Sequence, residues 1–355
     1  MRPLGPFPVP GREHLKILIV TDAWKPQVNG VVTTLEMLGQ ELTAMGHQVR
    51  YATPQGRFSV PLPTYPEIRL AIFPRDGLEK TIREFAPDAV HIATEGTMGM
   101  SARALCIKHG IEFTTAFHTR YPEYVHTRFP FISESWVWWW EKWFHSKGVA
   151  TMARTPAMKR ELEAHGFKNV RLWEGGVDVE RFRPIPDATL PYPKPIFLYV
   201  GRVSIEKNIE AFLRLDLPGT KVVVGPGPAR ESLARKYPDV KFLGPKSGEE
   251  LVRAYAASDV NVFPSLTDTF GLVMLEALAC GTPVATFPRE VMLDVVGNCP
   301  AAALDEDLGA ACRRALTLPR EQAREFVLRH SVGAATRQFL SNLQVEQPVE
   351  VPVAV

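Results

Sequence analysis

Short apolar runs alternate with amphipathic stretches along this chain, and the alternation starts twice. Residues 15–20 (LKILIV) form a continuous apolar run of buried-strand type. An apolar face recurring every three to four positions over 31–45 predicts a helix closed by Gly46, and 47–52 predicts the next strand. Further strands are predicted at 68–73, 88–92 and 112–117, with helices near 77–85 and 99–109. Thr155 followed by Pro156 marks the start of another helix over 159–164. Pro184, Pro186, Pro191, Pro193 and Pro195 then break the pattern and suit a connector. Beyond them the alternation restarts, with strands at 196–200, 221–224, 240–243, 259–263 and 282–285. Helices are predicted between these at 206–215, 248–257 and 271–279, and a last one at 331–343.

Strands alternating with helices predict parallel sheets covered on both faces. The expected layout is a disordered tail over 1–14, a first α/β unit over 15–183, a linker over 184–195 and a second unit over 196–330. Ligands in such sheets sit beyond the carboxyl ends of the strands, so both units should turn their loops toward a shared cleft.

Charge narrows the partners. The 355 residues carry 41 Lys plus Arg against 39 Asp plus Glu, so no global field draws the chain to nucleic acid. An anionic ligand must be held by local positive charge. The four cysteines, Cys106, Cys280, Cys299 and Cys312, form no CxxC or Cys/His spacing, so no metal site is expected from them. The opening segment lacks the apolar stretch of a signal peptide, and no run of about 18 apolar residues occurs, so cytoplasmic residence is expected.

Candidate chemistry concentrates in the second half. The block GRVSIEKN (201–208) follows a predicted strand and leads into a helix. It presents Arg202 and Lys207 beside a helix N-terminus, an arrangement suited to a diphosphate. Alone, the same block is equally compatible with a solvated surface turn. A second block, PSLTDTFGLVMLEALACGTP (264–283), places Asp268 in a loop and Glu276 in an otherwise apolar helix. A carboxylate in such a helix is costly without a partner.

At these residues the chain resembles the retaining glycosyltransferases of family 4, which have the GT-B fold of two facing Rossmann-like domains. That family carries two acids with seven residues between them around a Phe-Gly-Leu loop, matched here by Asp268 and Glu276, with the first acid one methylene shorter. Its Arg-x4-Lys pair matches Arg202 and Lys207. The resemblance implies that Arg202 and Lys207 neutralise a diphosphate leaving group, with backbone N–H groups at Gly201, Phe270, Gly271 and Leu272 near the donor. It implies that Glu276 binds ribose hydroxyls, that Asp268 holds the transferred sugar, and that Gly225 lies against the nucleotide. In the first unit it implies that Gly30 approaches the donor phosphate and that His118 faces the sugar. Without the resemblance, a turn glycine and a buried structural histidine are the plain readings of those two. Arg120, Tyr124 and the segment 95–99 are weaker candidates for the cleft.

The segments TDAWKPQVNGVV (21–32), HIATEG (91–96) and TDTFG (267–271) are similar to the branch holding GDP-mannose-dependent α-mannosyltransferases and sulfoquinovosyl-diacylglycerol synthases. That implies a GDP-mannose or UDP-sugar donor, no cofactor or metal, and a lipid or glycan acceptor. It also implies a C-terminal helix returning to the first domain. The chain departs from the branch at Gly175, where an Arg often stands, and at Arg289 to Asp294. Trp136, Trp138, Trp139, Trp140 and Trp143 crowd one predicted helix. The expectation there is divided between a peripheral membrane contact, with Lys142 and Lys147 near lipid phosphate, and a core stripe of Trp136, Trp140 and Trp143. A nucleotide-sugar epimerase and a non-catalytic nucleotide-sugar binding module remain as alternative functions.

Overall fold

The computed structural model describes residues 14–27, 29–62, 65–129 and 131–343; apart from His14, the predicted tail lies outside them. The first unit opens with β1 (Lys16–Val20), α1 (Gly30–Ala44), β2 (Gln48–Ala52), β3 (Ser59–Leu62) and β4 (Tyr65–Ala71). It continues through α2 (Arg75–Phe85), β5 (Ala89–Ile92), α3 (Thr97–His109), β6 (Phe113–Ala116) and α4 (Tyr121–Arg128). α5 (Glu134–His145), β7 (Ala150–Ala153), α6 (Pro156–Ala164) and β8 (Val170–Leu172) complete it. The second unit begins with β9 (Ile196–Val200), a 3-10 turn at Ile205–Lys207, α7 (Ile209–Leu213), β10 (Thr220–Val224), α8 (Arg230–Lys236) and β11 (Lys241–Gly244). Then follow α9 (Gly248–Ala256), β12 (Val260–Phe263), α10 (Leu272–Ala279), β13 (Val284–Thr286), α11 (Glu290–Val296) and β14 (Ala302–Leu304). The chain ends in α12 (Leu308–Ala315), α13 (Arg320–Val327) and α14 (Val332–Leu343).

Both main sheets are parallel and share one strand order. The first runs β2-β1-β5-β6-β7-β8 and the second β11-β10-β9-β12-β13-β14. Each therefore reverses its winding beside its first strand, between β1 and β5 and between β9 and β12. Loops leaving the carboxyl ends at such a reversal diverge and leave a crevice for ligand. The predicted fold class is met.

Several local details differ from the periodicity reading. Residues 206–215 are not one helix, because Asn208 at φ +51° separates the 3-10 turn from α7. Asparagine tolerates that left-handed conformation, and its side-chain amide donates to Pro264 O at 3.0 Å. The turn carrying Lys207 is thus tied to the loop after β12. The strand predicted at 68–73 is one arm of an antiparallel hairpin, β3–β4. β7, β8 and α8 went unpredicted because they are short and β7 (ATMA) is built mainly of small residues without alternation.

The C-terminal helix packs on the first unit. Phe339 and Leu343 of α14 lie in one cluster with Ile17, Ile19, Leu35 and Leu42, and the Asn342 amide donates to Leu172 O at 2.7 Å. Burying Phe339 fully contributes roughly 2–3 kcal/mol to that docking. The two units also touch through α6 and α11, where the Asp294 carboxylate accepts from the Ala157 N–H and Arg160 pairs with Glu290 at 3.3 Å. The unusual 289–294 segment is therefore an interdomain clasp that adds a second acceptor at the N-terminus of α6, beside the Thr155 cap.

Candidate active site

In the second unit the sheet delivers two loops side by side. Gly201, at φ +152°, turns the chain out of β9, and the Tyr199 hydroxyl fixes the next residue by donating to Arg202 O at 2.7 Å. A Cβ on Gly225 would lie 1.9 Å from Gly201 O, so Gly225 is glycine because the loop after β10 rests backbone on backbone against the loop after β9. Lys207 Nζ lies 2.8 Å from Asp268 Oδ1, with both side chains about one-fifth exposed (22% and 18%). Asp268 Oδ2 is buried and has no hydrogen-bond partner among the described residues. One carboxylate oxygen is oriented by the ammonium, and the other keeps its capacity to accept. Behind Asp268, Gly271 at φ +79° starts α10 with no side chain capping it. That leaves first-turn N–H groups around Gly271 and Leu272 for a ligand.

Glu276 stands one turn into α10 and is 6% exposed. Burial pushes its carboxyl up to about 7, opposed by a 2.8 Å hydrogen bond from the Tyr255 hydroxyl and by the charge of Arg181. The two acids thus have separate partners: Lys207 for Asp268, Tyr255 for Glu276.

The first unit faces this loop with a histidine. Thr269 Oγ1 donates to His118 O at 2.9 Å, which places His118 across the domain contact from the Asp268 loop. Its imidazole packs edge-on to Trp173, and Nε2 has no partner among the described residues. Burial, reinforced by the positive charge of Arg154, holds His118 well below its usual range. That favours the neutral ring, which can hydrogen-bond a hydroxyl. Gly30 begins α1, capped by the Asn29 side chain at Val31 N and Val32 N. A Cβ there would meet nothing within 4 Å, so packing does not require the glycine.

Phe270 does less toward a ligand than its motif suggests. Its ring is buried, 5.2 Å below the Arg154 guanidinium, and a Cβ on Gly175 would come within 2.1 Å of it. The ring wedges the domains together, Gly175 makes room for it, and only the Phe270 backbone can meet a donor. Arg154 itself was missed by the sequence reading. It leaves β7 as Arg202 leaves β9, stacks over Trp173 at 4.7 Å, is lowered to about 10 by burial, and keeps Nη1 unpartnered among the described residues. The available signal was a basic residue directly after an apolar strand.

Two of the weaker expectations change. Arg120 is no free cleft residue, because it forks onto Glu161 at 2.9 and 2.7 Å and pairs with Glu123. The Tyr124 side chain lies outside the described residues. Glu95 turns inward, its side chain 3% exposed beside His145, and does not line an acceptor surface. Asp22, at the reversal of the first sheet, accepts from Met98 N, Gly99 N, Thr94 Oγ1 and Thr97 Oγ1, stitching the loop after β1 to the start of α3.

The tryptophans divide by face. α5 buries Val137, Trp138, Glu141, Phe144 and His145, with Trp138 stacked on His165 at 3.8 Å. Trp136, Trp139 and Trp143 are exposed, at 59, 60 and 38%, with Phe131 at 83% nearby. The core stripe of Trp136, Trp140 and Trp143 is therefore not what the helix uses. No described helix is long and apolar enough to cross a membrane.

Two parallel-sheet units with a basic and acidic grip at the second reversal match known families in both halves. Residues 28–181 match the model described as Glycosyltransferase Family 4, and residues 194–317 match Glycosyl transferases group 1. The chain is a glycosyltransferase of the GT-B fold. Its first half matches the Family 4 model, and its relatives include GDP-mannose-dependent alpha-mannosyltransferases and a sulfoquinovosyl transferase. A GDP-mannose-dependent alpha-mannosyltransferase of Mycobacterium tuberculosis is 29% identical over 307 residues, 78% of this chain and 81% of that protein. A sulfoquinovosyl transferase of Arabidopsis thaliana is 31% identical over 68% of this chain and 50% of that protein. Among solved structures, sucrose-phosphate synthase from Thermosynechococcus elongatus superposes with a TM-score of 0.74 at 23% identity, covering 92% of this chain and 98% of its own. The Anabaena protein HepE, solved with UDP and glucose, gives 0.69 at 15% identity over 93% and 99%.

Proposed function

We propose that this glycosyltransferase moves a hexose from a nucleoside-diphosphate donor, GDP-mannose first, to a lipid or glycan acceptor with retention at the anomeric carbon. One observation carries the reading: the Lys207–Asp268 pair, with one carboxylate oxygen left over, stands at the reversal of the second sheet and opposite His118. Arg202 and Lys207 balance the charge that grows on the diphosphate as the anomeric C–O bond breaks, and the start of α10 adds N–H donors. Asp268 Oδ2 and neutral His118 take sugar hydroxyls, and Glu276 takes the ribose. The acceptor oxygen bonds the anomeric carbon from the face the diphosphate leaves, and its proton passes to the departing phosphate oxygen. The two cationic side chains supply the countercharge that a metal supplies in other phosphate-leaving reactions, so the transfer needs no cofactor.

GDP-mannose is favoured by the relatives named as GDP-mannose-dependent enzymes, and a UDP-sugar by the UDP-bound HepE. Incubating the chain with a panel of GDP- and UDP-sugars and a lipid extract, with products read by mass spectrometry, separates these. Transfer from no donor overturns the proposal, and nucleotide release without acceptor favours an epimerase. A membrane-bound acceptor is supported by Trp136, Trp139 and Phe131 with Lys142 and Lys147, exposed aromatic and basic residues suited to a lipid interface. The chain would then act as a peripheral protein of the cytoplasmic face.

A further inference from the structure

Beneath the β5 and β6 ends lies a side-chain cluster that the transfer does not use. Glu95 follows β5, and Glu141 with His145, four residues apart, share the buried face of α5; they are 4, 0 and 2% exposed. His145 Nε2 lies 3.3 Å from Glu141 Oε2 and 3.5 Å from Glu95 Oε1, and one ligand atom from each residue falls within 4.8 Å of the others. Glu95 Oε1, both Glu141 oxygens and His145 Nε2 have no hydrogen-bond partner among the described residues. Two buried carboxylates beside one imidazole leave excess negative charge in a medium that penalises it heavily.

We propose that Glu95, Glu141 and His145 bind a divalent transition cation, Zn2+ first, as a structural site of the N-terminal domain. The orientation of the ring suits a metal ligand. His145 Nδ1 lies 2.8 Å from Thr115 Oγ1, and that hydroxyl is itself directed to Thr151 Oγ1 at 3.2 Å and Ala150 O at 3.5 Å. Thr115 therefore accepts from Nδ1–H, and Nε2 turns to the carboxylates, as a hydrogen-bonded outer partner does for a metal-bound imidazole. The separations also suit a shared ion better than a shared proton. Charge-assisted N–H···O bonds close to about 2.7–2.9 Å, whereas bonds of about 2.1 Å at tetrahedral angles give ligand–ligand edges of about 3.4 Å. An imidazole with two carboxylates is a donor set for Zn2+ or Mn2+ rather than for Ca2+. The sequence reading sought cysteine patterns, and Glu95 stands too far along the chain from Glu141 for any local spacing to show it. A cation here would pin the loop after β5 to the inner face of the helix whose outer face bears the exposed tryptophans.

The test uses the untagged full chain, stripped with chelator and titrated with Zn2+ and, separately, Co2+. We expect one Zn2+ per chain by elemental analysis, a visible Co2+ ligand-field spectrum, and a melting temperature several degrees higher with Zn2+ than without. Glu95→Gln and Glu141→Gln should each lose stoichiometric binding and the thermal response. If neither variant folds, the imidazole 15N shifts of His145 in the wild type decide: a metal-bound Nε2 with a protonated Nδ1 supports the site. An imidazolium in the presence of Zn2+, no uptake of either ion by the wild type, or uptake equal to the wild type's in both Gln variants overturns it. None of these readouts depends on sugar transfer.

Discussion

The two domains repeat one strand order yet spend the carboxylate at their reversal point differently. Asp22, after β1, accepts four hydrogen bonds from the 94–99 segment and has nothing left over. Asp268, after β12, gives one oxygen to Lys207 and keeps the other. Topology alone would nominate both as ligand-binding acids. Counting satisfied oxygens separates a carboxylate spent on the fold from one with an accepting oxygen to spare. The same count explains the glycines: Gly96 must be small because a Cβ would lie 2.4 Å from Asp22 Cγ, whereas a Cβ on Gly30 meets only open space.

The comparison breaks most readily at Lys207. Lys207→Ala should lower the turnover of sugar transfer by about 10^2–10^3-fold, because it removes a preorganised countercharge, with little change in the thermal unfolding curve. Asp22→Ala should do the reverse. It orphans buried donors at Met98 and Gly99, costs about 3 kcal/mol of stability, and leaves donor affinity in the surviving folded fraction unchanged. Chemical denaturation with a donor titration reads both.

Glu276 sharpens the contrast through pH. Its carboxyl is raised from 4.5 to about 7, so its contribution to stability is complete below about pH 4.5 and is lost as pH rises through 7. A ribose diol donates to the ionised form, so GDP should bind more tightly as pH rises toward 7, by up to about tenfold per unit. Calorimetry across pH 5.5–8 should show that slope in the wild type and a flat profile in Glu276→Gln. The smallest structural effect belongs to the exposed face of α5. Trp136→Ser with Trp139→Ser should change stability by less than about 0.5 kcal/mol, while weakening sedimentation with anionic lipid vesicles several-fold.

How much of this was legible follows from the kind of signal. β9, read at 196–200, and α10, read from 271, stood out because long apolar periods end in Gly or Pro. That Lys207 and Asp268 come together was legible because charge placed after a buried strand is unusual and cheap to notice. Arg154 carried the same signal and was overlooked because β7 is only four residues of small side chains. The face of α5 was misread because five tryptophans give no contrast, so spacing alone could not show that Val137, Trp138 and Phe144 take the core. The inward turn of Glu95 and the four bonds on Asp22 depend on residues distant in the chain, which no local pattern encodes.

The grip on the diphosphate is tested most directly by GDP binding to the wild type, Lys207→Ala and Asp268→Asn, measured by calorimetry at one salt concentration. The predicted result is a loss of about tenfold or more in Lys207→Ala, with Asp268→Asn within about twofold of wild type, since the role proposed for Asp268 is at the sugar and not the nucleotide. Equal GDP affinity in Lys207→Ala and the wild type would contradict the account.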